Sequence, residues 1–208
     1  MEEKQLGGIC VGTRVWKDSD KMLAVFCEDG FVYSVLARGA LKPKYKLKFA
    51  AQLFSACDYF LCAGKAGYHI LSGATFGELS LLGISSDPEA YAAACVVCEA
   101  VQKSVLSENK RMYAETVAAL GELAAGGSRS DIIVLRVLIA AFVSNGLGAA
   151  FPEGSRGELC KSVATAQAGN LSELDCDKTE IRALIKQYAR KFALQFGKLN
   201  SLGFYLGE

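Results

Sequence analysis

From Met22 to Leu36 the chain reads Met22-Leu-Ala-Val-Phe-Cys-Glu-Asp-Gly-Phe-Val-Tyr-Ser-Val-Leu36. Two apolar runs, Met22–Cys27 and Phe31–Leu36, flank Glu28-Asp29-Gly30. β-Branched and aromatic residues suit strands, and Asp-Gly supplies the positive φ angles of a tight hairpin turn. Working outward, Leu6–Val15 precedes this hairpin, and Phe54–Cys62 and Tyr68–Phe76 follow it. Gly64-Lys65-Ala66-Gly67 turns between the last two. Five short strands with a longer third-to-fourth connection predict a small Greek-key barrel of the OB-fold type, with an SH3-like barrel as the alternative.

The pattern changes at Ser86-Asp87-Pro88-Glu89. Asp87 is suited to the N-cap, Pro88 to the first helical position and Glu89 to the positive end of the dipole. Helices are expected to about Leu106, from Asn109 to Ala125, from Ile132 to Ser144 with Ser130 or Asp131 as cap, and from Asp177 to Phe196. The third is apolar on nearly every face, so it belongs at the centre. Residues 146–176 are Gly-, Ser- and Ala-rich and weakly periodic, and predict short helical turns and loops. The fold class is α+β: an OB-like domain over residues 1–80 and an α-helical domain over 81–208.

Composition narrows the function. The 208 residues are 51% hydrophobic and 22% charged, with 3 prolines and a net charge of +1. This is a globular profile, and no global field draws nucleic acid or membrane to it. With one histidine, His69, a three-His zinc site or an H-E-x-x-H helix is excluded by count. G-x-x-x-x-G-K-[ST] and G-x-G-x-x-G are both missing. The start, Met1-Glu2-Glu3-Lys4, is acidic, and no apolar run approaches the length of a membrane span, so the expected location is the cytoplasm with no membrane contact. The 8 cysteines are then expected as thiols. Cys95 and Cys98 have ligand spacing but lie in a helical stretch, and Cys160 and Cys176 are isolated, so no metal and no cofactor are expected. A thiol enzyme using Cys62 or Cys98 with His69 lacks a cation or helix start to depress the thiol.

Charge is concentrated locally. Arg38, Lys42, Lys44, Lys46 and Lys48 occupy eleven residues without an acid. An extended chain would put the four lysines on one side and Tyr45 and Leu47 on the other. Phosphate is the matching partner, and bases would stack on nearby aromatics. Trp16, between Arg14 and Lys17, is expected to be exposed, Tyr33 and Tyr45 are further candidates, and Phe31 is expected in the core. A protein–protein adaptor whose barrel binds peptides is the alternative. On the last helix Lys178, Arg182, Lys186 and Arg190 form a ridge spaced by four.

Three segments carry a family resemblance: Gly12-Thr-Arg-Val-Trp-Lys-Asp-Ser-Asp-Lys-Met-Leu-Ala-Val-Phe26, Ala37-Arg-Gly-Ala-Leu-Lys-Pro-Lys44 and Gly197-Lys-Leu-Asn-Ser-Leu-Gly-Phe-Tyr-Leu206. The order of features resembles the RecO family of bacterial recombination mediators. That resemblance implies an N-terminal OB-fold, a helical domain, DNA binding and annealing in repair without catalysis, contact with RecR, and docking of the acidic C-terminal tail of single-stranded DNA-binding protein. From the resemblance together with the local charge, DNA contact is expected at Arg14, Lys17, Arg38, Lys42, Lys44, Lys46 and Lys48. Partner contact would fall to the helical ridge and to Arg111 and Arg136, since arginine holds a carboxylate bidentately. Arg136, inside the apolar run Ile132 to Val143, is equally suited to an internal pair with Glu99 or Glu115. Many members of the family carry a four-cysteine zinc module, which this chain departs from.

Overall fold

The computed structural model describes residues 3–64, 67–127, 129–149, 151–166, 174 and 176–207. It contains two compact units. The first comprises Met1–Leu81 with Val105–Tyr113, and the second Leu82–Ser104 with Ala114–Glu208. No helix among the described residues is long and apolar enough to cross a membrane.

In the first unit, β1 (Glu3–Lys17), β2 (Asp20–Cys27), β3 (Val32–Ala37), β4 (Ala56–Ala63) and β5 (His69–Phe76) form a closed barrel in the order β1-β2-β3-β5-β4. Only the β3–β5 pairing is parallel. This is the five-stranded Greek-key closure that the sequence predicts. Closure depends on β1 serving two neighbours: Glu3–Ile9 pairs with β4 and Gly8–Lys17 with β2. A register shift between Cys10 and Gly12 bends the strand from one to the other. Gly8 sits at the crossing, where a Cβ would come within 2.9 Å of the Phe26 carbonyl oxygen and 3.0 Å of Cys27 Sγ. A side chain there would force the strands apart.

The β2–β3 turn forms at Glu28-Asp29-Gly30, with Gly30 at φ 89°. Cys27 N–H donates to the Phe31 carbonyl at 3.0 Å, and Gly30 N–H to Cys27 at 2.8 Å. The Asn109 amide donates to the Gly30 carbonyl at 2.8 Å, and the Phe26 ring meets Tyr113 edge-on at 5.2 Å. Residues 105–113 thus pack with the barrel, although their helical pattern groups them in sequence with the helices. Inside, Cys10, Leu23, Val25, Val35, Tyr59 and Leu61 are buried, each on the inward alternation of its strand.

The second unit begins with a 3-10 turn, Leu82–Ser86, then α1 (Pro88–Ser104). Asp87 caps α1, its Oδ1 accepting the Glu89 amide at 2.9 Å. Helix α2 (Lys110–Ala125) starts within residues 105–113 and is capped by Asn109 Oδ1 on the Met112 amide at 2.9 Å. Helix α3 (Ser130–Ser144) is the central one, buried from Ser130 to Phe142 apart from the half-buried Arg136, and it packs on α1, α4 (Ser155–Thr165) and α5 (Lys178–Phe196). Ser130 and Asp131 are not its N-cap. They lie inside the first turn, and the cap position falls on Arg129, whose side chain makes no capping bond. Asp131 instead takes a two-point contact from the Arg129 guanidinium, at 2.9 and 2.8 Å. Asp177 caps α5 through the Glu180 amide.

Two helices depart from the expected loops and chain end. Within 146–176 the structure forms α4, a full helix whose weak amphipathicity left no stripe in sequence. Residues Ser201–Leu206 form α6, whose first amides are capped from a distance. The Glu99 carboxylate accepts the Asn200 and Ser201 N–H groups at 2.9 and 2.8 Å and the Ser201 hydroxyl at 2.6 Å, with Lys103 at 2.9 Å. Burial would raise this carboxyl, but those donors hold it at about 2. At the other end of α6 the Tyr205 and Ser130 hydroxyls meet at 3.1 Å.

Candidate nucleic-acid interface

The β3–β4 connection, residues 38–55, carries the lysine run. It is not extended. Successive i→i+3 bonds turn it: Ala40 N–H to Ala37, Lys42 N–H to Gly39 and Tyr45 N–H to Lys42, at 3.4, 2.9 and 3.1 Å. Gly39, at φ 71°, permits the first of these turns. The reason is burial: Ala40, Ala50 and Ala51 belong to the barrel core, and an extended chain could not bring all three into it. The alternation of side chains nevertheless holds. Lys42, Lys44, Lys46 and Lys48 are exposed, while Tyr45, Leu47 and Phe49 are half-buried against the core.

Arg38, Lys42, Lys44 and Lys46 line one groove of about 710 Å³, with Tyr45 and Leu47 as its apolar wall. Asp20 is the one acid among its lining residues, and its Oδ1 is occupied by the Gly39 amide at 2.7 Å and the Ser19 hydroxyl at 3.3 Å. Leu41 N–H donates to the Ser19 carbonyl at 2.9 Å, and Lys21 Nζ to the Ala51 carbonyl at 3.0 Å. The β1–β2 turn and the start of β2 therefore anchor the connection near both ends. From within, the Tyr59 hydroxyl lies 3.2 and 3.0 Å from the Ala50 and Ser55 carbonyls. The Tyr45 hydroxyl is buried without a hydrogen-bond partner among the described residues, and burial pushes its ionisation up.

Three of the sequence-assigned DNA contacts lie outside the groove lining. Lys48 is exposed beyond it, and Arg14 and Lys17 are exposed near the end of β1. Trp16 is 40% exposed, with the Arg14 guanidinium 4.8 Å from its ring centre. Phe31, expected in the core, is also 40% exposed. It follows directly on the β2–β3 turn at the barrel's end, resting on Tyr33 at 6.2 Å. Tyr33 is committed locally: its hydroxyl donates to Asp29 at 2.6 Å and accepts from Lys4 at 2.7 Å. Burial opposes ionisation of Asp29, yet bonds from Lys4 and Tyr33 hold its carboxyl below the usual range.

The geometry gives thiol chemistry no foothold. His69 meets Tyr33 edge-on at 5.0 Å, and its Nδ1 is buried without a partner. His69 pairs with Ala63 and Ile70 with Cys62, so Cys62 projects from the opposite face of the sheet. Burial pushes Cys10 and Cys27 up to about 12 and also raises Cys57, Cys95 and Cys160. Cys98 is buried in α1. None of the eight cysteines is bridged. Among the described residues no group of three or more His, Cys, Asp or Glu could hold a metal ion.

In the helical unit two of the candidate cations hold ion pairs. Arg136 Nε donates to Glu115 at 2.9 Å and its Nη1 to the Ala166 carbonyl at 2.6 Å. Lys178 pairs with Glu89 at 3.2 Å, beside a cavity of about 130 Å³ whose lining also includes Glu122, Asp131 and Arg129. Mixed signs there do not make an anion site. Arg182 is half-buried with Nε unpartnered, and Lys186 and Arg190 are exposed along the same ridge. Arg111, exposed in the first turn of α2, belongs to the barrel unit.

Strand order, closure and the groove on its β3–β4 side define the first unit as an OB-fold module. Known proteins place it more narrowly. Residues 1–76 match the family model described as Recombination protein O N terminal. The chain is 30% identical over 118 residues to the DNA repair protein RecO of Clostridium perfringens (strain 13 / Type A), a match covering 55% of this chain and 46% of that protein. The chain thus spans about half the length of the curated relative it matches. The RecO resemblance carried by Gly12–Phe26 and Ala37–Lys44 is borne out over this barrel.

Proposed function

We propose that the barrel binds DNA through the groove of the β3–β4 connection, and that the protein acts without catalysis as a mediator of recombinational repair. One observation carries this reading: four cations line a single groove whose only acid is already taken by a backbone amide. Phosphates neutralising those cations release counterions, so affinity should fall steeply with salt. Holding two strands on neutralised phosphates would lower the repulsion between them and favour annealing. The repair role is supported by the similarity to a protein named for DNA repair.

The helical unit is the docking half in this reading. RecR and the acidic tail of single-stranded DNA-binding protein are the partners, and the ridge Lys178, Arg182, Lys186 and Arg190 with Arg136 supplies the cations there; Arg111, on the barrel unit, is a separate candidate. Among these, Arg182 is half-buried and its buried Nε has no acceptor among the described residues, whereas Arg136 is held by Glu115.

Gel shifts of a single-stranded oligonucleotide at two salt concentrations test the DNA reading. Affinity that drops with salt, and drops less in a Lys42→Glu/Lys44→Glu variant, is the expected result. Binding that ignores salt in both proteins would favour the peptide-adaptor alternative. Titrating a fluorescent acidic peptide into Arg111→Ala, Arg136→Ala and Arg182→Ala tests the docking half, with Arg182→Ala expected to weaken it most.

A further inference from the structure

We infer that Phe76 is a base-stacking platform that gives the DNA interface its preference for single strands. The inference rests on the reading of the cationic groove as the DNA site and extends it by a residue of different chemistry. Phe76 ends β5 and is 77% exposed. Its ring stacks on Phe49, with centroids 4.3 Å apart and planes at 29°. Phe49 is the inner ring. It is half-buried against the barrel core, and its carbonyl accepts the Ser55 hydroxyl. The pair therefore presents a fixed aromatic stack with its outer member open to solvent.

Such exposure leaves a large apolar ring facing water. The ring's position supplies a reason. Lys46 and Leu47 line the groove, Lys48 is the next exposed cation, and Phe49 follows at once. On the other side, Leu71 and Ser72 of β5 line the groove, and the same strand runs on to Phe76, about 13 Å further at the usual rise. The stack thus lies where the cationic track leads along both chains. That distance is shorter than the strand length that one OB fold typically covers, roughly 4–16 nucleotides, so one bound strand can reach both.

The two chemistries divide the task. Phosphates are present on duplex and single strand alike, so the lysines attract both. A paired base has its faces covered by its neighbours in the helix, whereas an unpaired base can lay one face on Phe76. Stacking neutralises no phosphate and releases no counterion. Its contribution should therefore change affinity without changing the salt slope.

The test uses the full chain and three probes of equal length: oligo(dT), an abasic single strand that keeps the phosphates and lacks the bases, and a duplex. Phe76→Ala should bind oligo(dT) more weakly by about 5-fold to 100-fold, the factor set by stacking one base. Its affinity for the abasic strand and the duplex, and its salt slope on oligo(dT), should match the wild type. Equal loss on all three probes, or no loss on oligo(dT), overturns the inference. If the wild type binds none of the probes at low salt, the groove reading itself has failed. A second variant does not depend on removing the ring. In a Trp16→Phe background, Phe76→Trp should be quenched by oligo(dT) and not by the abasic strand; equal quenching by both, or none, counts against stacking.

Discussion

The β3–β4 connection of the barrel and the helices of the second unit both carry several cations, but the two regions use them in opposite ways. In the helical unit Arg129 reaches Asp131, Arg136 reaches Glu115, Lys103 reaches Glu99, Arg156 reaches Glu180, Lys161 reaches Glu158 and Lys178 reaches Glu89. In the connection, Arg38, Lys42, Lys44, Lys46 and Lys48 have no ion-pair partner among the described residues. Positive charge that is matched internally serves the fold. Unmatched charge held in place by backbone hydrogen bonds remains available for an external anion. The connection has five lysines and arginines and no acid, whereas the eleven of the second unit are interleaved with carboxylates, so the distinction comes from where the carboxylates fall.

The largest expected effect tests the helical side of this contrast. Arg136→Ala leaves the half-buried Glu115 and the Ala166 carbonyl without their donor. The loss should be about 3 kcal/mol in urea unfolding, as for a broken buried pair. A loss below about 1 kcal/mol would mean the pair is solvated and the contrast weaker than the geometry implies.

Acid should loosen the same unit. Glu99 is held at about 2 against an ordinary value near 4.5, so its folded form prefers the carboxylate. That preference stabilises fully above the unfolded value and is lost as pH falls through about 4.5 toward 2. The expected contribution, discounted for partial exposure, is about 1–2 kcal/mol. The protection factors of the Asn200 and Ser201 amides, corrected for intrinsic exchange, should fall in that window, and Glu99→Gln should remove most of the pH dependence. Equal protection at pH 3 and pH 6 would argue against the cap.

On the barrel side, Lys42→Glu with Lys44→Glu should leave the melting transition nearly unchanged, because neither side chain has an internal partner. DNA affinity should fall about tenfold or more at low salt, with a shallower salt slope. A melting shift comparable to that of Arg136→Ala would show that these lysines serve the fold after all.

The smallest effect concerns the one acid in the groove. Asp20→Asn keeps an acceptor for the Gly39 amide and removes a negative charge beside the phosphate path. Affinity should rise by about two- to threefold at low salt, and the gain should vanish at high salt. Asp20→Ala, which also removes the acceptor, should lose affinity instead. Equal affinities for both variants would mean that this hydrogen bond does not position the connection.

Most of the barrel was legible because its signals are local. Asp29-Gly30 marks its own turn, and inward residues alternate within each strand. Asp87 caps the helix that starts beside it. What escaped depends on distant groups. Helix α6 is capped by Glu99, about a hundred positions earlier in the chain, and no local pattern announces such a partner. The lysine spacing correctly gave the exposed side of the connection, but the extended backbone inferred from it was wrong, since alternation records which side chains are buried and says nothing of the turns that bury them. Phe31 looked like core because its run is apolar, yet the run ends at the barrel's rim. Phe76 drew no attention in sequence for a related reason: its partner, Phe49, lies in the connection, and only the closed barrel brings the two rings together.

The bond from the Asn109 amide to the Gly30 carbonyl, with Tyr113 against Phe26, has a practical meaning for anyone dissecting the molecule. A fragment cut after the last strand would leave the β2–β3 turn short of a donor and the Phe26 ring short of its aromatic neighbour. The barrel is therefore discontinuous in the gene that encodes it. A cassette ending near residue 80 should be more open to proteolysis at Glu28-Asp29-Gly30 than one that retains residues 105–113, whatever either fragment does to DNA.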